Sequence, residues 1–93
     1  MVKEVNVAHI LVKTEEQAKE IIELLKKGES FANIASQKSE CPSGKRGGEL
    51  GWFGRGKMVK EFENAAFNLE KGQTTGPVKT QFGWHIIKSL DTR

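Results

Sequence analysis

The chain has 93 residues, 37% of them hydrophobic and 29% charged, with a net charge of +3. That length supports one modest core and excludes two, and the balance of residues excludes a disordered chain. No apolar run approaches the ~18 residues of a transmembrane helix, and the single cysteine excludes an internal disulfide.

Met1-Val2-Lys3-Glu4 carries no signal-peptide core. The expectation is therefore one monomeric domain over residues 1–93 in a reducing cytoplasm.

Val5 to Lys13 alternates, with Val5, Val7, His9 and Leu11 on one face and Ala8, Ile10 and Val12 on the other. Both faces are largely apolar, which predicts a central strand covered on both sides. Thr14-Glu15-Glu16-Gln17 fits a capping box, and Ala18, Ile21, Ile22 and Leu25 follow as one helical stripe. Lys26-Lys27-Gly28 supplies cations and a left-handed stop. Ser30 caps a second, shorter helix with Phe31, Ile34 and Ala35 inward, fraying by Ser39.

Six glycines fall between Glu40 and Gly56, a segment expected to be an ordered functional loop with a short strand at Leu50–Phe53. Met58 to Leu69 returns to helical spacing, with Phe62, Ala65, Ala66 and Leu69 inward and Gly72 as the stop. Thr74–Lys79 and Gly83–Leu90 read as two last strands joined by a tight connection around Gln81-Phe82-Gly83, with His85, Ile87 and Ser89 on one face. Strands first and last with helices between predict an α+β domain: a four-stranded, mainly antiparallel sheet surrounded by helices.

Gly44-Lys45 lacks the earlier glycine and the following Ser or Thr of a phosphate loop, and Gly51–Gly56 lacks the context of a dinucleotide fingerprint. Cys41, His9 and His85 come without a C-x-x-C or H-x-x-x-H pair, so neither a metal nor a cofactor is expected. A Cys41 nucleophile with a histidine base is chemically conceivable but weakly signalled. Lys45, Arg46, Arg55 and Lys57 could attract nucleic acid, yet the cations are mixed with Glu along the helices, so solvated faces account for them and nucleic-acid binding is not expected. What remains is an apolar inventory beside two histidines, suited to a noncovalent site for an uncharged group such as a proline ring.

Several segments together resemble one family, the parvulin-type peptidyl-prolyl cis–trans isomerases. They are Ala8-His9-Ile10-Leu11-Val12-Lys13, Gly47-Gly48-Glu49-Leu50-Gly51-Trp52-Phe53, Met58…Phe62 and Phe82-Gly83-Trp84-His85-Ile86-Ile87, and the similarity runs from about Val5 to Leu90. The resemblance implies a βα3βαβ2 fold and noncovalent rotation of X–Pro bonds in flexible or unfolded protein segments. It further implies that His9 and His85 are the paired core histidines, that Thr80 is the hydroxyl bonded to them, and that Cys41 lies near the amide that rotates but is not cut. Leu50, Met58 and Phe62 match the pocket for the proline ring, and Phe82 the apolar surface around it. In one departure, Lys13-Thr14-Glu15-Glu16 enters a helix directly where phosphate-directed members carry a longer basic loop, so no preference for phosphorylated substrates is expected. In the other, no aromatic-rich proline-binding module is read ahead of Val5, so a minimal single-domain member is expected.

Overall fold

The computed structural model describes residues 2–93. Its elements run β1 (Glu4–Val12), α1 (Glu15–Lys26), α2 (Phe31–Lys38), a 3-10 turn (Pro42–Arg46), β2 (Glu49–Gly54), α3 (Lys60–Phe67), β3 (Val78–Thr80) and β4 (Gly83–Thr92). The sheet order is β2-β1-β4-β3 and every pairing is antiparallel. The expected α+β, βα3βαβ2 architecture is observed, with the 3-10 turn as the third helical element between β1 and β2.

β1 lies inside the sheet, and its alternation sorts the core into two layers. Ala8, Ile10 and Val12 join Ile86 under α1 and α2, while Val5 and Val7 join Phe53 and Ile87 under Phe62 and Ala66 of α3. Ile10, Ile86 and Ile87 are fully buried, each contributing about 1.5–3 kcal/mol of transfer free energy. Among the described residues no helix is long and apolar enough to cross a membrane.

The local signals act where they were expected. Thr14 Oγ1 accepts from Gln17 N at 3.2 Å while Gln17 Oε1 accepts from Thr14 N, closing the capping box at the start of α1. Ser30 caps α2 through Asn33 N.

Three expectations are corrected. The loop from residue 40 to 56 is more regular than read, because Pro42 suits the first turn of a short helix and Gly47 closes it in the left-handed region. The helix expected from Met58 begins only at Lys60, where Val59 provides no side-chain cap. The strand expected over Thr74–Lys79 shrinks to Val78–Thr80, since Pro77 has no N–H to give a ladder. Residues 72–75 still follow β4 by single contacts, with Thr75 N donating to Ile87 O at 2.8 Å and Thr74 bridging Lys88.

Two bulges complete the frame. Between Val7 and Ala8 the register with β2 jumps from Gly51 to Glu49, so Leu50 is the extra residue, beside Gly51 at φ +80°. The bulge puts Leu50 on the α3-side layer although the next residue, Gly51, pairs with Val7 of that same layer. Between Asn6 and Val7 the register with β4 skips Leu90, which packs on the α1 side.

Candidate active site

His9 pairs with Ile87 across the β1–β4 ladder, and His85 pairs with Leu11. The two histidines are therefore diagonal neighbours on one sheet face, within reach of long side chains. Their Nδ1 atoms lie 3.1 Å apart and their rings stack with 18° between planes. Thr80, at the end of β3, places Oγ1 2.7 Å from His85 Nε2, and the same oxygen accepts from Phe82 N at 3.1 Å. Phe62 on α3 meets both imidazoles edge-on, at 5.5 and 5.2 Å between ring centroids.

Burial governs the chemistry of this pair. His9, His85 and Thr80 are all buried. Desolvation, with the neighbouring His85 as a second cause, lowers the His9 pKa from 6.5 to about 4, and burial lowers that of His85 as well. Both rings are neutral at physiological pH, so one ring donates and the other accepts in the Nδ1–Nδ1 bond. The hydrogen-bonded chain from Thr80 through His85 ends at His9 Nε2, which is buried without a partner among the described residues.

The segment after α2 is tied to β1 by small residues. Ser39 Oγ accepts from Leu11 N and Cys41 N, Glu40 N donates to Leu11 O, and Gly48 O accepts from His9 N. Gly48 sits at φ +84°, and a Cβ there would collide with the His9 carbonyl oxygen. Cys41 is half-buried and bonds to neither histidine; its Sγ accepts from the buried Ser43 hydroxyl at 3.2 Å. Among the described residues no cluster of His, Cys, Asp or Glu could hold a metal ion.

The sequence-predicted residues thus fall into three groups. His9, His85, Thr80 and Phe62 touch directly. Leu50 and Met58 are half-buried on the same apolar layer as Phe62. Cys41 is held by its own loop, and Phe82 is 63% exposed on the β3–β4 turn, joined to the network only through its backbone.

The sequence reading gave Ser39, Ser43 and Gly48 no individual role; the signal available was three small residues flanking Cys41 and preceding the Leu50 strand. Of the four cations, Arg55 is engaged with Glu63 at 3.1 Å and lies over the Phe67 ring at 4.4 Å, whereas Lys45, Arg46 and Lys57 are exposed.

Comparison with known proteins places this geometry. Residues 6–91 match the family described as the rotamase, PPIC-type PPIase domain. A foldase protein PrsA of Geobacillus sp. (strain WCH70) is 57% identical over 88 residues, covering 94% of this chain and 32% of the relative. The chain spans about a third of the length of the curated relatives it matches.

Among solved structures, PrsA from Bacillus cereus superposes with a TM-score of 0.95 at 56% identity, covering 99% of this chain and 36% of that one. NmPin, the parvulin of Nitrosopumilus maritimus, matches at 43% identity and a TM-score of 0.86, covering 97% and 98%. With the family match spanning nearly the whole sequence, the chain belongs to the PPIC-type, or parvulin, peptidyl-prolyl cis–trans isomerases.

Proposed function

We propose that this isomerase domain rotates X–Pro bonds in unfolded or flexible protein segments by a noncovalent mechanism, as a monomer, and thereby assists folding. The observation that carries the reading is a neutral, buried histidine pair directly beneath Phe62, with Leu50 and Met58 on the same layer. PrsA relatives are named foldases, and their clients are the model for the partners proposed here.

Rotation about a peptide bond faces a barrier of ~18–20 kcal/mol because resonance stiffens the C–N bond. Near the top of that barrier the amide has lost resonance, and its carbonyl is less polar than in the planar state. A dry cup with an uncharged floor favours that twisted state over the planar one. Leu50, Met58 and Phe62 grip the ring, so that the preceding carbonyl swings while the ring stays fixed.

Thr80 and the two histidines hold the floor in one shape without presenting a charge. Cys41 stands near the moving carbonyl as a weakly polar neighbour, its sulfur already engaged by Ser43. Phe82 extends the apolar surface at the rim.

Only two residues separate β1 from α1, which carries Glu15 and Glu16 in its first turn, and this disfavours a phosphate beside the cup. The proposed compartment is the cytoplasm, on the strength of the free Cys41 thiol. One similar structure is described as including a periplasmic protein, so cell fractionation decides the point.

The direct test is cis–trans exchange of a four-residue Leu-Pro peptide by NMR. Uncatalysed exchange takes tens to hundreds of seconds, so acceleration at substoichiometric protein is expected. Shifted peptide signals without acceleration would reduce the site to a proline-binding surface.

A further inference from the structure

A groove of about 630 Å³ lies on the sheet face opposite the histidines. Its floor is apolar, from Ala8, Phe31 and Leu90, and its rim carries Glu29, Arg46, Glu49 and Lys88. None of those four charges has an ion-pair partner among the described residues. The volume falls within the ~300–1,000 Å³ of ligand sites, and the isomerase mechanism makes no use of it.

A second depression of about 300 Å³ shares Arg46 and Glu49 with this groove and is completed by Leu50, Gly51 and Asn6. Leu50 also packs on the proline-cup layer. Leu50 thus borders both the second depression and the proline-cup layer, and Arg46 and Glu49 border both depressions, so the three adjoin in series around β2. β2 is an edge strand whose outer side is unpaired among the described residues, and an extended chain can follow such an edge.

We infer that the client polypeptide holding its proline in the cup continues around the β2 edge and lays a neighbouring segment in the reverse groove. This rests on the proline-cup reading above. The occupant is an extended stretch with an apolar residue flanked by charges of both signs, because the rim offers two carboxylates and two cations without partners. The crossing is about 10 Å, the thickness of a sheet layer, or three to four residues at ~3.3 Å each. A four-residue substrate with its Leu-Pro in the cup has at most two residues left for the crossing and cannot bridge it, whereas an unfolded protein can, and a second anchor on the same chain raises affinity through effective concentration.

The test compares a four-residue Leu-Pro peptide with one of roughly twenty residues, which carries the same dipeptide centrally and Lys, Glu and Leu on each side. The longer peptide should bind the isotope-labelled domain about tenfold more tightly. It should also shift the backbone amide signals of Gly47, Glu49, Thr74 and Lys88, which the short peptide leaves in place. The paired exchange Arg46→Ala with Glu49→Ala, which removes the charges common to both depressions, should abolish that gain, while the melting temperature and turnover of the short peptide stay unchanged. Equal affinity of the two peptides with those signals unmoved, or a gain that survives the exchange, overturns the inference. Failure to accelerate the short peptide would instead strike the isomerase mechanism, so the two failures are told apart.

Discussion

Acid should weaken this fold through His9 before anything happens to its apolar core. In the unfolded chain a histidine binds its proton near pH 6.5, but in the folded domain His9 does so only at about 4. Between those values the unfolded state holds more protons, so stability falls as pH falls, and above about 6.5 the contribution is fully present. His9 is only 5% exposed, so solvent screening removes little of the effect. At ~1.4 kcal/mol per tenfold change, the loss is about 2 kcal/mol at about pH 5 and about 3 kcal/mol at about pH 4. His85 adds in the same direction. For a domain of this size, with total stability of about 5–14 kcal/mol, that is a large share.

Urea unfolding followed by tryptophan fluorescence across this range measures the loss, with His9→Asn as the reference that retains every other titrating group. The wild type should lose about 2 kcal/mol relative to the variant between about pH 7.5 and 5. Ring-proton NMR should show His9 still neutral at about pH 5. Parallel pH slopes in the two chains, or His9 titrating near its free value, would refute the burial argument.

Ser89 is fully buried and its hydroxyl has no partner among the described residues, so Ser89→Ala should raise stability in urea by about 1 kcal/mol. Gly48→Ala places a methyl group against the His9 carbonyl at a φ that side chains resist; a loss of about 2 kcal/mol and slower turnover are expected. Met58→Ala removes part of the half-buried cup, and a KM raised about tenfold should accompany a stability loss of only about 1 kcal/mol. Cys41→Ser should retain measurable isomerase turnover. If it abolishes turnover, and mass spectrometry traps an acyl adduct on the wild-type protein, the noncovalent mechanism is wrong.

What could be read before folding was local. The alternation of Val5 to Val12 and the Thr14 capping box depend on neighbours within a few residues, and both act as the chain suggests. The 3-10 turn was hidden because its place depends on Ser39 and Ser43, which bond to Leu11 N and to Cys41 and Gly48, across a separation no periodicity reports. The segment at Thr74–Lys79 carried β-forming residues, but Pro77 and irregular pairing with β4 kept most of it out of the ladder. For the site, alternation put each histidine on a face, yet only the β1–β4 register makes them diagonal partners. A slip of one residue would send His85 to the α1 side.

The β2 bulge and the short β3 strand serve the face that carries the histidines, and this division has an energetic logic. The layer under α1 and α2 is apolar and built on Ile10, Ile21, Ile34 and Ile86, all essentially buried. The layer under α3 holds two imidazoles, a threonine hydroxyl and Ser89, whose hydroxyl has no partner among the described residues, polar groups whose burial costs stability wherever a bond is missing. Leu50 reaches that layer only through a bulge, and Thr80 only through a three-residue strand. The face proposed for catalysis is assembled from such features and could not hold the domain together alone. The continuous aliphatic layer behind it supplies the margin, which is why a floor of neutral, desolvated histidines can persist in a chain this short.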